Sequence, residues 1–187
     1  RPLFARMLRR LLVSQMSSVR RVRFWSGLGR AFAFLLPVRL RRNIPPAANA
    51  LPAADLPPLA DPALQGKRVL LLDGCVQQAA TPATNDALAR LLERRGATVL
   101  RQASESCCGA LALHLGREDA ALTAARGVLQ QFAPVASEID AVVSTASGCG
   151  VTQKDYPRLF AQAQAPATEL TLAQAFADKL CDAAELL

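Results

Sequence analysis

Val69-Leu70-Leu71-Leu72-Asp73-Gly74-Cys75 is the stretch that decides the fold. Its four apolar residues do not alternate with polar ones, as they would in a strand with one wet face. An unbroken run of that length reads as a strand buried on both sides, the kind that lies inside a parallel sheet. The acid, glycine and thiol that follow mark its carboxyl end. Working outward, Ala97 to Leu100 and Ile139 to Ser144 read as two further short strands. Between the first two, Thr81-Pro82 opens a helix with proline at its first position, Leu88, Leu91 and Leu92 form its apolar face, and Gly96 closes it. Arg117 to Phe132 carries Leu122, Ala125, Leu129 and Phe132 on one stripe, with Glu118 and Asp119 at its positive end. Thr152 to Phe160 and Thr168 to Leu187 read as two more helices, the last with Leu172, Phe176 and Leu180 on its apolar positions. Strands alternating with helices imply right-handed crossovers and an α/β fold, a Rossmann-like parallel sheet with flanking helices.

The 187 residues divide unevenly in charge. Residues 1–54 hold eleven arginines and no acid, while the rest sets eleven Lys+Arg against fifteen Asp+Glu, so the net +7 is an arm at +11 and a domain at −4. Four segments follow: a basic amphipathic helical arm over 1–44, a Pro-rich linker over 45–65, a cysteine-rich module over 66–165, and a C-terminal amphipathic helix over 166–187. In the arm, Leu3, Phe4, Met7, Leu8, Leu11 and Leu12 recur at helical spacing between Arg6, Arg9 and Arg10, which calls for a partner surface. A second helical stretch covers Val19 to Leu36. Aromatics beyond Phe24 and Trp25 do not interleave the arginines and no reading motif is present, so no nucleic-acid partner is expected. A neighbouring domain or subunit is the first expectation for what the arm meets, and an anionic membrane surface the second. No run reaches the roughly 18 apolar residues of a spanning helix. The opening Arg-Pro reads as part of a longer chain.

Five cysteines are too few and too odd in number for a secreted disulfide framework, and they fit a reducing cytosol. Cys75, the Cys107-Cys108 pair and Cys149 each follow a predicted strand, although 31 residues separate Cys75 from Cys107 and 40 separate Cys108 from Cys149. Parallel strands bring all four to the sheet edge where open α/β folds bind ligands. Four thiolates suit either zinc or a [4Fe–4S] cluster. The absence of a Cys-x-x-Cys knuckle disfavours zinc, and a cluster accepts ligands from separated loops. Gly74, Gly109, Gly148 and Gly150 beside the thiols let main chain approach a ligand and free amides to donate to sulfur. The competing reading is that these are ordinary buried cysteines. His114, six residues after Cys108, is a candidate donor to cluster sulfur or a structural histidine. Cys181 falls in the C-terminal helical pattern and reads as packing.

Gly74-Cys75-Val76, Cys107-Cys108-Gly109-Ala110-Leu111 with His114 and Gly116 after it, and Thr145-Ala146-Ser147-Gly148-Cys149-Gly150 followed by Lys154-Asp155-Tyr156 resemble the cysteine-rich CCG module. The likeness is above all to the iron–sulfur subunits of bacterial glycolate oxidase (glycolate dehydrogenase), and the module is also similar to parts of heterodisulfide reductases and lactate-utilisation proteins. It covers residues 66–165 and, more loosely, the arm. The resemblance implies an oxidoreductase subunit that passes electrons from a flavoprotein partner, whose FAD oxidises glycolate to glyoxylate, through an iron–sulfur cluster towards a quinone-type acceptor. By position it implies Cys75, Cys107, Cys108 and Cys149 as cluster ligands, with no catalytic residue on this chain, and a cytoplasmic place with peripheral attachment at the inner face of the membrane as a variant. Ala146 and Thr152 stand three residues either side of Cys149 where the fuller module has a second cysteine. The family's ferredoxin segment, expected as a missing part of the same subunit, and its second module do not occur in this sequence. A heterodisulfide-reductase-like thiol–disulfide module and a zinc-stabilised binding domain remain the alternatives.

Overall fold

The computed structural model describes residues 3–44, 57, 59, 61–101 and 107–186. Most of the expected linker, residues 45–56, 58 and 60, lies outside them. Helices α1 (Leu3–Met16), α2 (Val19–Ala31) and α3 (Val38–Arg41) form the arm. Then come β1 (Arg68–Leu72), α4 (Cys75–Ala80), α5 (Pro82–Arg94), β2 (Thr98–Arg101), α6 (Ala110–His114), α7 (Glu118–Phe132), β3 (Ala141–Ser144), α8 (Ser147–Lys154), α9 (Tyr156–Gln162), α10 (Ala167–Lys179), β4 (Leu180–Asp182) and α11 (Ala183–Leu186).

The four strands are all parallel, in the order β2-β1-β3-β4. From β1 the chain winds outward to β2, then crosses back to lay β3 on the opposite flank of β1. That reversal opens a crevice beyond the carboxyl ends of β1 and β3, the place where such sheets take ligands. The unbroken apolar run of β1 is explained by two covered faces. Val69, Leu71 and Val143 pack with Leu88, Ala89 and Leu92 of α5. Leu70, Leu72 and Val142 pack on the other side with Ala125, Phe132, Tyr156, Phe160 and Phe176 of α7, α9 and α10. Phe132 meets Phe176 edge-on with centroids 5.2 Å apart, and Tyr156 stacks on Phe176 at 5.6 Å and 22°.

Three elements differ from the sequence expectation. The helix expected at 152–160 is two helices, α8 and α9, with Pro157 in the first turn of the second. Proline has no amide to extend the ladder of α8, so the chain restarts, and Cys149 lies inside α8 rather than in a loop. The C-terminal helix stops at Lys179, whose Nζ donates to Ala136 O and Ile139 O at 2.7 and 2.6 Å. Leu180–Asp182 then pairs with β3 as the edge strand β4, so Cys181 is a strand residue and not a helical one. Helix α2 ends at Ala31, short of Leu36, and a single 3₁₀ turn follows at Ala33–Leu35.

The arm touches the module at the sheet's carboxyl edge. Val19 and Val22 are buried with Cys75 and Ala79 in one small apolar cluster, so α2 packs on α4. Arg23 also donates to Gln78 O at 3.1 Å.

Candidate metal centre

Each cysteine segment opens a helix at the carboxyl edge of the sheet. Cys75 is the first residue of α4, Cys108 stands just before the Gly109 cap of α6, and Cys149 is in the first turn of α8. First-turn amides lack helical acceptors and are available to sulfur. Cys75 and Cys108 are buried, Cys107 and Cys149 half-buried, and all five cysteines of the chain are free thiols. The topology brings Cys75, Cys107, Cys108 and Cys149 together, and Cys181 stays apart, its Sγ donating to Val142 O at 3.5 Å.

The four thiols are neighbours in a row, Cys75 beside Cys107, Cys107 beside Cys108 and Cys108 beside Cys149. Its neighbours Cys108 and then Cys75 hold the pKa of Cys107 far below the ordinary thiol value, helped by the Gly109 N–H, which donates to Cys107 Sγ at 3.5 Å. Cys149 is lowered by the neighbouring Cys108 thiol. Cys108 and Cys75 move the other way, both raised first by the neighbouring Cys107 and further by burial. Such a set holds thiolate and thiol side by side, and a soft metal that binds it must expel the thiol protons. Among the described residues no three His, Cys, Asp or Glu side chains are arranged around one ion. Thiolate sulfur is the donor that soft metals and iron–sulfur clusters take.

Of the four glycines beside the thiols, Gly109 is the one whose backbone requires glycine. Its φ is +84°, and a Cβ there would lie 2.8 Å from Ala121 O. Gly74 caps α4 with an ordinary extended backbone, while Gly148 and Gly150 sit in α8 with room for a side chain. His114 ends α6 and is exposed, and among the described residues no hydrogen bond joins it to a cysteine.

Three features escape sequence reasoning. Ser17, in the turn between α1 and α2, lies beside Cys107 and favours its thiolate, while Met16 O accepts from Cys75 Sγ at 3.7 Å. Thus the arm roofs the thiols. Tyr156 is wholly buried and donates to Cys108 O at 2.8 Å, and burial pushes its phenol well above the ordinary value. Finally, Asp73 ties the ends of three strands together. It takes a forked pair of bonds from Arg101 at 2.7 and 3.1 Å and a third from Asn85 at 2.7 Å, and Thr145 donates to Asn85 at 2.5 Å. Asp73 follows β1, Arg101 ends β2 and Thr145 follows β3, so the network fixes the roots of the cysteine segments. The one available signal was Asp73 itself, an acid directly after an apolar strand. A cleft of about 520 Å³ lined by Val13, Ser17, Arg21, Cys107 and Thr123 leads from the surface to the row.

Residues 69–153 match the family of cysteine-rich CCG domains. The chain is 34% identical over 160 residues to a protein of Escherichia coli K12 named glycolate oxidase iron-sulfur subunit, across 85% of this chain and 38% of that protein. A Bacillus subtilis protein named probable glycolate oxidase iron-sulfur subunit is 32% identical over 93 residues, across 50% of this chain and 20% of that one. The chain therefore spans well under half the length of either relative. No solved structure matches it significantly. Residues 69–153 are thus similar to cysteine-rich CCG domains, on a chain similar over most of its length to a glycolate oxidase iron–sulfur subunit.

Proposed function

We propose that this chain is the electron-transfer part of a glycolate-oxidising complex and that Cys75, Cys107, Cys108 and Cys149 hold an iron–sulfur cluster, of the [4Fe–4S] type. One observation carries the reading: four free thiols from three separated segments meet in one row at the switch point of a parallel sheet. Thiolate sulfur is the donor that selects such clusters, and the bound cluster supplies one-electron storage and transfer. This chain's residues supply the rest. Asp73 and Arg101 hold the cysteine segments in register, Gly109 donates to sulfur, and Val19 and Val22 keep water from Cys75. The cleft over Cys107 gives a partner close approach to the site.

Within the complex, glycolate is oxidised to glyoxylate by FAD on a flavoprotein partner, and electrons pass through this chain to a quinone-type acceptor. The names of the two relatives support the glycolate assignment. We place the chain in the cytoplasm, with the arm against a partner subunit or the inner membrane surface. No helix of the described residues is long and apolar enough to cross a membrane.

Anaerobic reconstitution followed by iron and sulfide analysis tests the reading. About four iron and four sulfide per chain are expected for one [4Fe–4S] cluster. Zinc in place of iron, or a colourless chain after reconstitution, overturns it. A thiol–disulfide role has one observation in its favour, the half-buried Cys107 whose Sγ accepts the Gly109 N–H and whose pKa its neighbours lower. Trapping a mixed disulfide at Cys107 in the iron-free chain is the result that would replace the first reading with the second.

A further inference from the structure

We propose that Tyr156 is a positioning residue for the cysteine pair: its hydroxyl fixes the peptide between Cys108 and Gly109 so that the far side of that peptide donates to Cys107 Sγ. The two bonds belong to one planar unit. Tyr156 Oη donates to Cys108 O at 2.8 Å, and the N–H across the same peptide bond, that of Gly109, donates to Cys107 Sγ at 3.5 Å. A trans peptide carries its C=O and N–H on opposite sides, so holding one end aims the other. Each bond also polarises the amide and strengthens its partner.

The surroundings leave this unit little freedom. The Tyr156 ring is wholly buried, stacked on Phe176 at 5.6 Å and edge-on to Phe160 at 6.3 Å. Gly109 is held at φ +84° against Ala121 O, where a side chain has no room. Tyr156 begins α9 because Pro157 ends α8, and α8 carries Cys149. A single stretch of chain therefore supplies one thiol of the row and the clamp on two others. Function enters through sulfur, since amide donors to a cluster's cysteine ligands raise its reduction potential. That consequence rests on Cys107 being a cluster ligand, as proposed above.

The test is a redox titration of the reconstituted full chain, followed by electron paramagnetic resonance, with iron measured on each sample. Tyr156→Phe keeps the ring and its stack but removes the donor, and its potential should shift to a more negative value at unchanged iron content. The chain has one tyrosine, so growth on 3-fluorotyrosine alters Tyr156 alone. Its more acidic phenol is a stronger donor, and the potential should shift the other way. Opposite shifts support the relay, which a purely structural phenol would not produce. Unchanged potentials in both proteins at full iron content overturn it while leaving the cluster reading intact. A wild-type chain that takes up no iron overturns the cluster reading instead. In that case, or if Tyr156→Phe does not fold, exchange of the Gly109 amide in the metal-free chain is read by nuclear magnetic resonance. It should become several-fold faster in Tyr156→Phe and slower in the fluorotyrosine protein. Exchange that does not respond in whichever of the two folds overturns the relay.

Discussion

The arm and the module both carry helices with an apolar face, yet they close those faces to very different degrees. In α10, Phe176 is wholly buried between Phe132 and Tyr156. In α1, at similar spacing, Leu3, Phe4 and Met7 are 75%, 76% and 69% exposed. Helical periodicity names the face that can be buried but supplies no partner for it, and the stabilisation comes from the area actually removed from water. The arm's two fully packed positions, Val19 and Val22, are the ones that roof Cys75. Arm and module therefore meet at the candidate site itself.

The largest expected effect tests the contrast directly. Phe176→Ala should cost about 3–5 kcal/mol, because it empties a site between two aromatic rings that cannot collapse into it. Phe4→Ala, the same chemical change on the exposed face, should fall within about 0.5 kcal/mol. Urea unfolding of the full chain measures both. Equal losses would mean that the arm's apolar face is covered in solution, and the comparison would fail.

Next in size is the polar network at the strand ends. Asp73→Ala strips the forked partner from Arg101 and leaves the wholly buried Asn85 without its acceptor. Leaving a buried polar group unsatisfied costs about 1–3 kcal/mol. The variant should also lose iron at a lower chelator concentration than Phe4→Ala, since it loosens the roots of the cysteine segments. Chelator resistance equal to wild type would show that the network serves stability alone.

Much of this was legible in the sequence, and the parts that were not share a cause. The unbroken run at β1, the strand-end cysteines and Gly96 at the end of α5 are local signals, and each matches the structure. Convergence of the four cysteines follows from strand direction alone. By contrast, β4 is three residues long and continues the apolar spacing of α10, so period alone merges the two. The roof over Cys75 joins residues more than fifty positions apart in a segment whose own pattern points elsewhere. Tyr156 acts on a backbone carbonyl, which no side-chain motif records.

A smaller effect reads the packed face of the arm over Cys75. Val22→Ala removes about two methylene equivalents at ~0.8 kcal/mol each, so a loss of about 1–2 kcal/mol is expected. The sharper measurement is alkylation of Cys75 in the metal-free chain, which should speed up as water reaches the thiol, while alkylation of Cys181 stays constant. Unchanged Cys75 reactivity would place the roof elsewhere and separate the arm from the site.

The smallest effect belongs to the opposite edge of the sheet, and it distinguishes the two regions by pH. Asp140 lies at the amino end of β3, where its carboxylate accepts from the Arg68 N–H at 2.8 Å and from Lys67 Nζ at 3.0 Å. These partners, the Arg68 amide first, lower its pKa below the ordinary 3.8. A carboxyl group lowered on folding adds stability above its unfolded pKa, and that stability is lost as pH falls through the folded one. Asp140 therefore contributes in full at neutral pH and nothing in strong acid. Replacing it with Asn should lower stability slightly at pH 7 and not at pH 2. The arm has no counterpart, since residues 1–54 contain no carboxylate side chain to protonate. Stability curves of wild type and Asp140→Asn should accordingly converge in acid, while the helical signal of the arm shows no titration of its own. Curves that stay parallel down to pH 2 would mean that Asp140 gains nothing from Arg68 and Lys67 in solution.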